Sequence, residues 1–320
     1  MIEIVAQSEA MREVMRLAKR VAATDANVLV EGESGVGKDA VALFIHAQSS
    51  RAAQPFVKID CAALPSELLE AELFGYERGA FTGATEARPG RLEAAHRGTL
   101  LLDEIAHLSW DAQAKLLRVI ERREFERLGG RRTIKVDARL VALTNVDLDD
   151  AVKRRAFRED LFYRLNVVRI SVAPLRERRE DIKRLALGFL KTYATKHGRP
   201  AREIAPQALA ILDAYEFPGN VRELANTVER AVIVANGSQI EGSDLPEVIH
   251  ASVKSSRKRH ERWPTLAELE ADHIVETLEA ARGNKSEAAR MLGISRKNLY
   301  EKLARYGKKG ESQDKASLRS

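Results

Sequence analysis

Residues 27–39 read Asn27-Val28-Leu29-Val30-Glu31-Gly32-Glu33-Ser34-Gly35-Val36-Gly37-Lys38-Asp39. A short apolar run meets a glycine cluster, and apolar residues then resume at helical spacing over 38–48, which predicts strand, loop and helix. Gly32 to Asp39 fits the spacing of a phosphate-binding loop in the context that motif requires. Its glycines let backbone N–H groups converge on phosphate oxygens, the helix N-terminus adds positive potential, and Lys38 brings a point charge. The candidate cradle is Gly32, Glu33, Ser34, Gly35, Val36, Gly37 and Lys38. The general pattern ends in a Ser or Thr that serves Mg²⁺; Asp39 stands there instead, a carboxylate able to serve the metal directly or through water.

Working outward, similar apolar runs at 56–60, 98–103 and 139–144 are separated by amphipathic stretches such as 109–123. Strands alternating with helices predict an α/β fold with a doubly wound parallel sheet. Gly98-Thr99-Leu100-Leu101-Leu102-Asp103-Glu104 is a strand delivering two carboxylates at its C-terminal end, where ligands bind in open α/β sheets. Asp103 is the expected Mg²⁺ ligand, and Glu104 the group that polarises an attacking water. From 178 to 236 the strand signal gives way to helical spacing, a helical lid subdomain of about 175–236 appended to the sheet. A linker is expected at 237–264, where Gly, Ser, Pro246, Pro264 and Arg257-Lys258-Arg259 cluster. Three helical patterns follow at 265–281, 285–292 and 296–306, then a polar tail, 308–320, too poor in apolar residues to order itself.

Composition narrows the class. Hydrophobic residues at 44% suffice for a full core. No apolar run approaches the ~18 residues of a spanning helix, and the N-terminus lacks the pattern of a signal peptide, so a cytoplasmic protein is expected. Cys61 is the only cysteine, which excludes an internal disulfide and any multi-cysteine metal site. The net charge is +6, yet residues 281–310 alone hold nine Lys or Arg against two Glu, a net +7. Charge of that density suits a solvated helix face as well as nucleic acid. The pattern inside it decides for nucleic acid: Ala288 and Ala289 on one helix, Gly293 at a turn, Ser295 able to cap a second helix, Leu299 and Leu303 facing inward. This is a helix-turn-helix. Asn284, Lys285, Ser286, Ser295, Arg296, Lys297, Asn298, Tyr300 and Lys302 become the candidate contacts to double-stranded DNA.

At this point the sequence resembles the sigma-54-dependent transcriptional activators of the AAA+ superfamily over nearly its whole length. The most specific residues are Gly79-Ala80-Phe81-Thr82-Gly83-Ala84, which reproduce that family's GAFTGA loop between the two nucleotide motifs; the resemblance implies that this loop contacts sigma-54, with Phe81 and Thr82 at its tip. Leu143-Thr144-Asn145 is similar to the sensor I segment, where Asn145 would read the γ-phosphate. Phe157 to Asn166 resembles the arginine-finger segment, implying that Arg158 and Arg164 reach a neighbouring subunit's nucleotide. Gly219-Asn220-Val221-Arg222-Glu223-Leu224 looks like the sensor II helix, with Arg222 toward its own nucleotide. Residues 265–307 are similar to the Fis-like DNA-binding domains of the same family. In one place the chain departs from the pattern: the family commonly has asparagine where this chain has Asp60, at a switch thought to hold the catalytic glutamate. Asp60 lacks the amide donors, so two like charges would meet there.

The resemblance implies a two-domain ATPase, an AAA+ sheet and lid over 1–236 followed by the helix-turn-helix, with ATP and Mg²⁺ as cofactors. It would bind upstream enhancer DNA, form a homo-oligomeric ring, a hexamer in the family, and drive sigma-54 RNA polymerase holoenzyme from closed to open promoter complex. Three rivals share some of the motifs: a ring helicase or unfoldase, a nucleotide-gated repressor and an inert assembly factor. The loop hexapeptide counts against all three. The AAA+ pattern starts within the first few residues, which leaves two readings of its control: a separate regulatory protein, or excision from a longer chain.

Overall fold

The computed structural model describes residues 4–251, 266–281 and 283–303. Two compact units divide the chain at His250.

In the first unit α1 (Glu9–Ala22) leads into β1 (Val28–Glu31), and α2 (Lys38–Ala47) follows the glycine loop directly. Next come β2 (Phe56–Asp60), α3 (Ser66–Phe74), the paired short strands β3 (Gly75–Tyr76) and β4 (Arg88–Pro89), and α4 (Arg91–Ala94). β5 (Thr99–Asp103) carries the acidic pair, α5 (Trp110–Arg122) returns, and β6 (Glu124–Glu126) pairs with β7 (Thr133–Lys135) as a hairpin. β8 (Arg139–Thr144), α6 (Leu148–Lys153), α7 (Glu159–Leu165) and β9 (Val168–Ser171) complete the body.

The main sheet runs β2-β5-β8-β1-β9, and every pairing in it is parallel. Its buried residues split by parity, as the two-residue period of a strand demands. Leu100 and Leu102 of β5, with Leu140 and Ala142 of β8, face the cluster packed by α3, α5 and α7. Leu101, Val141 and Leu143 face the opposite cluster, which α1 and α2 cover. With both faces covered, β1, β5 and β8 read as near-continuous apolar runs, which is why they are visible in the sequence; β2, at one edge, is visible through Phe56, Val57 and Ile59, of which only Ile59 is buried. The fifth, β9, was not expected. It is an edge strand whose only buried member is Ile170, and Arg169 on its outer face pairs with Glu31 at 2.6 Å and Asp149 at 2.8 Å. Its half-polar composition hides it.

The lid consists of α8 (Glu180–Lys196), β10 (Glu203–Ile204), α9 (Pro206–Ala214) and α10 (Asn220–Val234). The expected linker does not begin at 237. β11 (Gln239–Ile240) pairs in parallel with β10, and Ile240, Leu245 and Ile249 are buried. Three apolar anchors among the glycines and serines fold this stretch onto the lid. The remainder of the expected linker, 252–264, and the polar tail lie outside the described residues.

The second unit has helices at Leu266–Ala280, Lys285–Met291 and 296–303, close to the three sequence expectations. Ile274, Ala288, Ala289 and Leu299 form its core, with Leu278, Leu292, Ile294 and Leu303 packed around it.

Candidate functional site

The glycine loop joins the end of β1 to the start of α2, with Gly37 at the N-cap. The backbone N–H groups of Gly35, Val36, Gly37 and Lys38 have no acceptor among the described residues, as expected of a helix N-terminus built to take an external anion. Lys38 is buried, and its Nζ donates to the carbonyls of Gly32 at 2.8 Å and Glu33 at 3.2 Å. Burial depresses its pKa against the opposing pull of Glu104, Asp103 and Asp39. The loop is thus held around a lysine whose ammonium is poorly solvated and whose nearest carboxylate, Glu104, lies 3.8 Å away.

β5 ends at Asp103, and Glu104 follows in the left-handed region at φ 52°. That turn aims the two carboxylates differently. Asp103 Oδ2 lies 2.7 Å from Lys58 Nζ, and the same ammonium hydrogen-bonds Asp39 at the start of α2. Burial works against the charged Lys58, but its bonds to Asp103 and Asp39 outweigh that and hold its pKa above the ordinary lysine value. Glu104 Oε2 instead accepts from the backbone N–H of Asn145 at 3.1 Å, and Oε1 lies 3.8 Å from Lys38. Asp60 sits in register with Asp103 on the neighbouring strand, and its Oδ1 accepts from the Ala62 N–H at 2.9 Å. Its carboxylate closes a local turn here. Behind it, burial first, then Asp60, Asp103 and Glu104, push the Cys61 thiol up to about 12, so it is inert.

The lid closes over the loop from the other side. The N–H groups of Val221 and Arg222 donate to Gly35 O at 3.0 and 3.3 Å. A Cβ on Gly35 would come within 2.5 Å of Gly219 O, so only glycine permits this approach. Arg222 donates to Ser34 Oγ at 2.9 Å; buried Asn220 donates to Glu33 and to Ser34 O, and accepts from Leu175 N–H. Arg176 grips Glu33 through two bonds of 2.6 and 2.9 Å. Buried Arg178 donates to Val36 O, and Asp181 caps the start of α1 through Ser8. Between lid and loop lies an open cleft of about 620 Å³ lined by Glu33, Ser34, Asn145, Gly219, Arg222 and Asn226. Of the expected cofactor-binding residues, Asn145 and Arg222 therefore face one cleft with the loop.

The glycine-bounded hexapeptide lies in the excursion between β3 and β4. Gly79 N–H donates to Ala84 O at 2.8 Å and Ala84 N–H to Phe81 O at 3.0 Å, which closes a tight tip. Phe81, 41% exposed, stands edge-on to Tyr76 at 5.0 Å, and Thr82 is exposed. The β6–β7 turn supports this tip: Leu128 bridges Tyr76, and Gly129 lies so close to Ala80 that an added Cβ would sit 2.9 Å away. Arg127 ties the two excursions together through Glu77 and Glu93. Sequence reasoning left this supporting turn unassigned.

Arg158 stands at the N-cap of α7 and Arg164 lies in its last turn, both remote in sequence from the glycine loop. Arg158 pairs with Asp160 at 2.7 Å and lies over the exposed Trp110 ring; Arg164 pairs with Glu121 at 3.3 Å. In the second unit Asn284 Oδ1 caps the middle helix and Ser295 Oγ accepts from Asn298 N–H. Arg296, Lys297 and Asn298 are exposed on the first turn of the last helix, Lys285 lies 5.0 Å over the Tyr300 ring, and Lys302 pairs with Glu270. Ser295 thus caps the last helix as its position in the sequence implies, and Asn284, expected as a DNA contact, also caps the middle helix.

Three successive family matches account for most of this chain: the Sigma-54 interaction domain over residues 4–171, the AAA+ ATPase lid domain over 176–262, and the Bacterial regulatory protein, Fis family, over 265–306. The chain is 47% identical over 311 residues to the Regulatory protein AtoC of Escherichia coli (strain K12), a match covering 95% of this chain and 68% of AtoC. It is 44% identical over 322 residues to the Transcriptional regulatory protein FlbD of Caulobacter vibrioides, covering 96% of this chain and 71% of FlbD. Among solved structures it is similar to NtrX from Brucella abortus in complex with ATP, with a TM-score of 0.73 and 36% identity over 96% of this chain and 70% of NtrX. The glycine loop, the exposed hexapeptide, the acidic strand end and the C-terminal helix-turn-helix follow one another in one chain, and the protein belongs to the sigma-54-dependent transcriptional activators, AAA+ ATPases with a Fis-type DNA-binding domain.

Proposed function

We propose that the cleft between loop and lid takes ATP, with its phosphates on the free N–H groups of Gly35 to Lys38 and on the Lys38 ammonium. The observation that carries this reading is the row of unpaired N–H donors around a lysine held only by carbonyls and a distant carboxylate. Asp103 and Asp39 are the residues that would hold Mg²⁺. They already grip a cation, the Lys58 ammonium, and two carboxylates completed by phosphates and water suit this ion. Mg²⁺ bound there would neutralise charge on the β- and γ-phosphates.

Glu104 is the group that orients the attacking water. Its carboxylate spans Lys38 on the loop and Asn145 at the end of β8, so a γ-phosphate at Lys38 would compete directly for its partners. Arg222 serves as the subunit's own sensor, drawn from Ser34 to phosphate when nucleotide arrives. Arg158 and Arg164 serve a neighbouring subunit in a ring, for which we favour a hexamer. An arginine finger so placed is worth ~10³–10⁵ in rate. Each of the two must first leave an ion pair with its own subunit's Asp160 or Glu121.

Output runs through the hexapeptide hairpin. Thr82 and Phe81 contact sigma-54, and the last helix of the second unit reads DNA through Arg296, Lys297 and Asn298, with Lys285, Ser286 and Tyr300 on adjoining phosphates. Such a protein works in the cytoplasm.

The test separates motor from output. Thr82→Ala should assemble and hydrolyse ATP at close to the wild-type rate yet fail to convert closed sigma-54 promoter complexes to open ones, both activities being measured in one preparation. If the variant opened promoters at the wild-type rate, the hairpin would not be the contact. If the wild type hydrolysed ATP but activated no sigma-54 holoenzyme, a nucleotide-gated DNA-binding repressor would be the better reading.

A further inference from the structure

Lys58 has no part in the roles assigned above, yet it occupies the most charged point of the site. It projects from β2, and its ammonium bridges two carboxylates from different elements, Asp103 at the end of β5 and Asp39 in the first turn of α2. Without a cation between them these carboxylates would repel each other. Lys38, the other lysine here, is turned to the loop carbonyls and Glu104, so among the described residues Lys58 is the cation in direct ion pairs with both metal-facing carboxylates.

We propose that Lys58 is a built-in placeholder for the metal: in the nucleotide-free protein its ammonium fills the cation position between Asp39 and Asp103, excludes free divalent ions, and yields only to a metal that arrives with nucleotide phosphates. This inference rests on the reading of Asp103 and Asp39 as the metal-facing carboxylates. The charge count explains the selectivity. With Lys58 in place the three side chains carry a single net negative charge, too little to strip water from an ion that dehydrates reluctantly. Phosphates bring the additional negative charge that makes displacement favourable. The Lys58 side chain is 41% exposed, and its four-carbon stem lets the ammonium swing into solvent when displaced. In that way the site would be protected from empty-handed metal while its two carboxylates stay pre-organised.

The test uses the full chain and Mn²⁺ as the probe, followed by the paramagnetic resonance signal of the free ion. Without nucleotide, Lys58→Met should bind one equivalent of Mn²⁺ at least ~10-fold more tightly than the wild type, the scale expected when a unit positive charge is removed a few ångströms from a partly exposed ion. Lys58→Arg, which keeps the charge, should behave as the wild type, and adding Asp103→Asn to Lys58→Met should abolish the gained site. Equal binding by wild type and Lys58→Met, or tight binding of free Mn²⁺ by the wild type itself, overturns the placeholder. The latter measurement needs no variant. A parallel arm with ADP keeps the two ideas separable: the wild type must then bind Mn²⁺ and lose it on Asp103→Asn. If that arm fails, the metal-site reading falls and the placeholder with it; if it holds while the Lys58 arms do not differ, only the placeholder falls.

Discussion

The backbone N–H of Asn145 donates to Oε2 of Glu104 at 3.1 Å, joining the C-terminal ends of β8 and β5. The other oxygen of that carboxylate lies 3.8 Å from the Lys38 ammonium. One side chain therefore connects the end of β8 to the glycine loop.

Glu104→Gln keeps the size of the side chain and an acceptor for Asn145 while removing the charge. The variant should bind ATP as the wild type does and hydrolyse it ~10²–10⁴-fold more slowly, the usual worth of a positioned base. Lys38→Ala should instead lose nucleotide binding, because it removes the charge the loop encloses. Fluorescent-nucleotide titration and steady-state phosphate release distinguish the two.

For the arginines the check is complementation. Arg158→Ala and Lys38→Ala subunits should each be inactive alone. Mixed, they should recover part of the hydrolysis, since some interfaces will pair an intact loop with an intact finger. No recovery in rings shown to be mixed would confine Arg158 to its ion pair with Asp160.

Asp60→Asn retains the Oδ1 that accepts from Ala62 N–H, so the turn after β2 should persist. It also removes a negative charge from the strand end in register with Asp103 and introduces amide donors. Hydrolysis should stay at or rise above the wild-type rate. A collapse in turnover with unchanged nucleotide affinity would give Asp60 a catalytic role of its own.

The tie between lid and loop should depend on pH through Glu33. The Arg176 guanidinium first, then the Asn220 amide, hold its carboxyl down to about 2, against an ordinary value of 4.5. A carboxylate depressed in the folded state contributes stability that is complete above its unfolded pKa and fades as pH falls through the folded one. Arg176→Ala should thus lower the urea midpoint at pH 6, and the difference from wild type should shrink between about pH 4.5 and 2. A difference that stayed constant over that range would mean Arg176 acts by packing and not by charge.

Much of this protein was legible in one dimension because its chemistry is written in contiguous residues. Gly32 to Lys38 encodes a strand, loop and helix together, since glycine is needed where backbone must approach phosphate and the helix must start immediately after. The three central strands, β5, β8 and β1, announced themselves because a sheet covered on both faces makes nearly every position apolar. The hexapeptide and the helix-turn-helix were equally local. What stayed hidden depends on residues far apart in the chain. β9 exists because it pairs with β1 across roughly 140 residues of sequence, and Arg169 on it resembles any surface arginine until Glu31 lies beside it. The stretch from 237 to His250 looked like a linker because three buried side chains among polar ones carry no period.

Local sequence determined which groups this protein has to work with: a phosphate loop, an acidic strand end, an exposed Phe-Thr tip and a basic recognition helix. Tertiary structure decided how their charges are apportioned. Lys58, two residues before Asp60 on a strand that reads as simple β, becomes the counter-ion of Asp39 and Asp103 only because β2 lies beside β5 and α2 begins opposite both. Glu104 turns away from its neighbour Asp103 because the left-handed residue at the strand end sends successive carboxylates to different partners. Such pairings follow from the order of strands in a sheet, a long-range property that no window of sequence contains.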